Sequence, residues 1–145
     1  MLAQATDAQE RWADAERYME VAAAAAAPSD LDAQIRWRGV GARLLARAGR
    51  LAEADRLAGE ALHFAEMTDF LDVPADSLVV HAEVLLLQAR RKEAAAALAS
   101  ALALYERKGN LVSAAQTKRL LTELKTGAAT LHGQLPLPAA DRLDS

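Results

Sequence analysis

Four arginines, Arg36, Arg43, Arg47 and Arg50, recur at spacings of seven, four and three, which lines them along one face of any helix that carries them. Such a stripe can hold a small anionic ligand, an acidic protein surface or a phosphate backbone, the last through counterion release. No aromatic residue shares the stripe to stack bases, and Glu53, Asp55 and Glu60 follow close behind. A solvated, charge-balanced face is therefore the first reading, and the pattern argues against nucleic acid. Gly39-Val40-Gly41 lacks the preceding strand, the third glycine and the Gly-Lys-Ser/Thr of a phosphate loop. Gly41 reads better as a small residue where two helices touch. The three histidines, His63, His81 and His132, have no spacing that makes a metal or nucleophile site. Cysteine is absent, which excludes disulfide scaffolds and thiolate metal centres. No catalytic residues, no cofactor and no metal are expected, and the chain reads as a non-enzyme.

The elements that would carry these residues say one thing twice. Trp37-x2-Val40-Gly41-x2-Leu44 is followed by Ala54-x3-Ala58-x2-Ala61, and about forty residues later Leu78-x2-His81-Ala82-x2-Leu85 is followed by Ala94-x3-Leu98-x2-Ala101. A period of this size is the signature of a helical array. The two copies differ by 41 positions early and 40 late, which places a shortened turn at Arg90-Arg91-Lys92. On this register Trp37 is expected to be a core anchor. The chain is 52% apolar but 4% aromatic, so alanine supplies much of the apolar surface, as suits closely approaching helix pairs. One hundred and forty-five residues and a net charge of −3 fit about one domain with no general attraction to nucleic acid or anionic membrane. No apolar run reaches the length of a spanning helix, and Gln4, Asp7 and Glu10 break any signal-peptide layout. A cytoplasmic protein with no membrane partner is expected.

Punctuation along the chain predicts six helices, in antiparallel pairs forming a short right-handed solenoid. The first runs over 6–27, opened by a Thr6–Gln9 capping box and stopped by Pro28. Its stripe of Trp12, Ala15, Met19 and Ala22 aligns with the second helix of a repeat, so the chain is expected to begin in mid-repeat. That stripe would then be covered by an upstream domain or by a second copy, making 7–27 a homo-oligomer contact. Helices over 31–48 (capped by Ser29 and Asp30), 51–67, from Pro74 to about 89, 93–108 and 111–125 follow. Gly49 and Gly109 act as stops and Asn110 as an N-cap. The helical domain is set at 1–126. Residues 127–145, with Pro136 and Pro138 and no period, read as an extended tail, whose residues 131–137 are expected to lie in an apolar groove.

The order of large and small residues in the two copies, well kept in the first and degraded in the second, resembles the tetratricopeptide repeat. More widely, residues 30–124 resemble the C-terminal repeats of bacterial multidomain regulators that carry an ATPase or nucleotide-cyclase module. The likeness rests on Asp30-x-Asp32-Ala33-Gln34-x2-Trp37-Arg38-Gly39, Ala46-Arg47-Ala48-Gly49-Arg50, Thr68-Asp69-Phe70-Leu71, Ala82-Glu83-Val84-Leu85, and Leu104-Tyr105-Glu106-Arg107-Lys108-Gly109-Asn110-x2-Ser113-Ala114. It implies a non-catalytic scaffold in signalling or transcriptional regulation that binds a protein or an extended peptide. The catalytic modules are matched nowhere. In peptide-binding members the ligand is met one and five positions after the Trp position. That implies a groove of Arg38, Ala42, Val79 and Glu83, with Asp76 beside them and Arg119 and Glu123 from the sixth helix. The groove lacks the paired lysine and asparagine that clamp a carboxylate terminus. The alternative is an accessory domain taking an effector anion on the arginine face.

Overall fold

The computed structural model describes residues 2–127, with side chains from residue 7 onward. The expected tail, Gly127 apart, lies outside them. Six helices follow one another: α1 (Leu2–Ala25), α2 (Leu31–Arg47), α3 (Leu51–Ala65), α4 (Asp72–Leu87), α5 (Arg91–Lys108) and α6 (Leu111–Thr126). The fold is all-α, and no strand occurs among the described residues. The helices divide into two compact units, Met1–Asp69 and Phe70–Ser145. Within each unit neighbouring helices, joined by short turns, pack antiparallel as in a helical solenoid.

In the first unit α2 packs between α1 and α3. The fully buried residues are small: Ala15, Ala42, Ala54, Ala58 and Ala61, with Leu45 and Leu57 filling the space between. At Gly41 both flanking helices approach the backbone of α2 closely. A Cβ there would lie 2.8 Å from Leu57 Cδ2 and 3.0 Å from Met19 Cγ, so α1 and α3 both press on this one backbone position. Met19 and Ala15 therefore face α2 of the same chain, while Trp12 and Ala22 of the same stripe remain partly exposed. In the second unit α5 packs between α4 and α6. One cluster joins Ala82, Leu85, Leu86, Ala94 and Leu98 to Leu124 of α6. Another joins Ala75, Ala101 and Tyr105 to Ala114.

The helix ends show where sequence punctuation worked. The Asp30 carboxylate accepts from the Ala33 amide at 3.0 Å, and the Asn110 side-chain oxygen accepts from the Ser113 amide at 3.2 Å. Each satisfies an orphan donor of a first turn. Gly49 and Gly109 adopt φ of +83° and +82°. After Gly49 the reversal is held by Gly49 N–H to Ala46 O and Arg50 N–H to Leu45 O, the paired bonds of a Schellman closure.

Four expectations are corrected. Thr6 lies inside α1, which starts at Leu2, so no capping box opens the helix there. The fifth helix starts at Arg91, two residues ahead of Glu93. The turn after α4 is not shortened. Ala89 N–H to Leu86 O and Arg90 N–H to Leu85 O repeat the closure at Gly49 forty residues on. The buried pairs Ala42 and Ala82, Ala54 and Ala94, and Ala61 and Ala101 keep the same interval. The extra residue of the first copy sits at the front of α2, which has 17 residues against 16 in α4. Structurally Leu78 is thus the counterpart of Arg38, and Trp37 matches the buried Ser77. Trp37 itself is only half-buried, so it is not the core anchor the 41-residue register implied.

Candidate functional site

Gln34 organises the junction between α1 and α2. Its amide nitrogen donates to the Ala27 and Ala26 carbonyls at 3.0 and 3.4 Å, just past the end of α1. Its amide oxygen accepts from Arg38 at 2.6 Å and from the Trp37 indole at 3.4 Å. One side chain therefore ties the carbonyl end of the first helix to the ring and the guanidinium of the second. Alanine supplies the rest. The run that ends α1 keeps its side chains short, and Pro28 turns the chain before it can close over α2. The result is an open notch of ≈ 210 Å³ lined by Tyr18, Ala22, Ala25 and Ala26 on one side and Ala33, Arg36 and Trp37 on the other. Its lining is four alanines, two aromatic residues and one cation. Arg36 pairs with Asp32 four residues earlier, both largely exposed. An exposed pair of this kind contributes about 0–1 kcal/mol, so its arginine can turn to an incoming carboxylate at little cost.

Arg38 is held differently. Its guanidinium lies 4.4 Å from the Trp37 and Phe64 ring centres. It donates to Glu60 Oε1 at 3.1 Å and to the Gln34 carbonyl at 3.0 Å, and only 15% of the side chain is exposed. Cation–π contact and hydrogen bonds inside the unit engage it, so it braces α2 against α3 and leaves the notch to Arg36.

The seven residues of the expected groove are placed as follows. Arg38 is engaged as described, and Ala42 has no exposed surface. In the second unit Asp76 is exposed and accepts the hydroxyl of the buried Tyr105. Val79 packs against both apolar clusters, and Glu83 is buried at 8% exposure. Arg119 is exposed and Glu123 half-exposed on α6. Ala42 and Glu83 thus offer a partner almost nothing to touch. The groove assignment placed Glu83 five positions after Leu78. The forty-residue interval equates Ala42 with Ala82, and both are sealed.

Of the four arginines of the stripe, Arg36 alone lines the notch. Arg50 lies 4.1 Å from the Trp12 ring centre and 3.7 Å from Glu53. Arg11 donates at 3.5 Å to the Arg47 carbonyl at the far end of α2. Among the described residues no group of three or more His, Asp or Glu is arranged to hold a metal, and no helix is long and apolar enough to cross a membrane. Gln34 and the alanines of the notch escaped sequence reasoning. The available signal was Gln34 standing three and four residues before Trp37 and Arg38, which puts all three on one helical face. No protein-family model, curated protein or solved structure matches the chain.

Proposed function

We propose that the chain is a non-catalytic interaction segment of tetratricopeptide type, a scaffolding or regulatory part of a cytoplasmic bacterial signalling or transcriptional regulator. Its partner is a protein or an extended peptide, and the notch between α1 and α2 receives one side chain of that partner. What carries the reading is the notch itself: two aromatic residues and four alanines line it together with an arginine whose ion pair with Asp32 is an exposed one. A large apolar or aromatic side chain fits such a lining, and an acidic neighbour meets Arg36. The forty-residue helix pairs support the scaffold class, because such pairs share a core with their neighbours and present side chains from their first helices.

The test is a selection of a random displayed peptide library on the full chain, with the Ala25→Glu variant run in parallel. Ala25 is exposed, so the glutamate blocks the notch without entering the core. Enrichment of sequences with an aromatic or leucine residue beside an acid, lost on Ala25→Glu and weakened on Arg36→Ala, is the expected outcome. Enrichment that is equal on the wild-type chain and Ala25→Glu removes the notch from the reading.

A further inference from the structure

Two apolar side chains beside the notch have no use inside the first unit. Val21 of α1 is 69% exposed and Val40 of α2 is 39% exposed. Valine is a poorer helix former than the alanines that follow it on α1, so its presence there does not serve the helix. Gly39, next to Val40, is equally unexplained by packing. A Cβ at that position would meet nothing within 4 Å, yet glycine weakens a helix interior relative to alanine.

The placement of the valines follows from helix geometry. Met19 Cγ would lie 3.0 Å from a Cβ at Gly41, which sets these two residues at one level of the antiparallel pair. Val21 is two residues further along α1 and Val40 one residue back along α2, so the valines stand at nearly the same level, one on each helix. Val21 comes three residues after Tyr18 and four before Ala25, and Val40 three after Trp37 and seven after Ala33. Residues so spaced share a helix face, and Tyr18, Ala25, Ala33 and Trp37 all line the notch. The valines therefore extend the open flank on which the notch lies.

The spacing points to the shape of what binds there. Val40 lies five residues beyond the midpoint of Ala33 and Trp37, a rise of about 7.5 Å along α2. In an extended chain, residues two apart point to the same side and are separated by about 6.5–7 Å. Gly41 lets Met19 come close, so the groove between the two helices is narrow. An extended segment roughly 5 Å wide enters it, whereas a helix about 10 Å across rides on its edges. The bare backbone at Gly39 admits the close approach of such a segment. Charge selects its chemistry: α2 carries Arg36, Arg38, Arg43 and Arg47 against one acid, Asp32, which favours an acidic partner.

We propose that the partner at the notch is an extended acidic peptide whose anchor side chain stands two residues from an aliphatic one, and that this second side chain closes over Val21 and Val40. The inference rests on the notch reading and deepens it, by assigning the partner's conformation and a second contact.

Capped synthetic peptides titrated into the full-length isotope-labelled chain test it. Each contains Asp-Phe flanked by glycine and serine, with no leucine, with leucine two residues before or after the phenylalanine, or with leucine four residues after it. Saturable movement of the Trp37 indole signal gives each Kd, and the leucine-free peptide reads the notch alone. Leucine at a spacing of two, on one side, is expected to lower the Kd by at least about fivefold, as partial burial of one aliphatic side chain implies, and to move the methyl signals of Val21 and Val40. With Val21→Ser and Val40→Ser together, the gain from leucine is expected to disappear. The gain is a ratio of two affinities read on one chain, so a general loss of affinity cancels. No gain at a spacing of two, an equal or larger gain at four, or a gain that persists in the double variant overturns the proposal and leaves the notch reading standing. A Trp37 indole that none of the peptides moves overturns both.

Discussion

Ala89 is the one residue other than glycine with positive φ among the described residues, at +62°. It stands forty residues after Gly49 and closes α4 with the same pair of backbone hydrogen bonds. Holding alanine in the left-handed region costs about 1–2 kcal/mol, from Cβ crowding the following carbonyl. Glycine removes that cost and returns about 0.5–1 kcal/mol as extra freedom of the unfolded chain. Ala89 is exposed, so no packing term enters. Ala89→Gly should therefore stabilise the second unit by about 0.5–1 kcal/mol. With a urea slope of about 2 kcal/mol per molar, the midpoint should rise by about 0.3–0.5 M. Gly49→Ala provides the reciprocal experiment. A Cβ at Gly49 meets nothing within 4 Å, so backbone strain acts alone and the midpoint should fall by a similar amount. Circular dichroism at 222 nm follows both. A lower midpoint for Ala89→Gly, or an unchanged one for Gly49→Ala, would refute the equivalence of the two turns and the forty-residue register built on it.

Three further substitutions separate the roles assigned in the first unit. Gly41→Ala pushes a methyl to 2.8 Å from Leu57 and 3.0 Å from Met19; overpacking of this kind costs about 1–3 kcal/mol, read in the same urea titration, and a neutral result would mean α1 yields freely. Arg38→Ala removes the brace between Trp37, Phe64 and Glu60 and should cost about 1–2 kcal/mol, with no change in peptide binding at the notch. Trp37→Ala should cost less than the roughly 3–5 kcal/mol of a fully buried aromatic, because the residue is only partly buried, yet should abolish selected-peptide binding in a fluorescence-polarisation assay. Unfolding of Trp37→Ala at 25 °C would restore the ring to the core.

Helix ends were legible where a residue type has one strong physical use. Pro28 cannot continue a helix, Asp30 and Asn110 cap one, and Gly49 and Gly109 supply positive φ, so the six helices stood within a few residues of their sequence-derived bounds. Ala89 gave no such signal, because alanine is a helix former and its left-handed conformation is imposed by the turn. The register error came from treating Trp37 as a fixed marker. A large ring is a strong sign of a core only where something covers it, and the alanines that close α1 leave this one open. Charge patterning misled in a related way. Arg38 and Arg36 look alike in the sequence, but Phe64 and Glu60 on the next helix engage the first, while the second faces an open rim. Those contacts depend on which faces of α2 and α3 meet, and the spacing within one helix does not fix that.

The most direct test of the interaction reading is a nuclear magnetic resonance titration of the full chain with a peptide selected on it. The account predicts saturable shifts of the Trp37 indole and of the Tyr18, Ala22, Ala25, Ala33 and Arg36 amides, absent in Ala25→Glu. Saturable shifts elsewhere that leave the Trp37 indole unmoved, or persistence of the same shifts in Ala25→Glu, would contradict it.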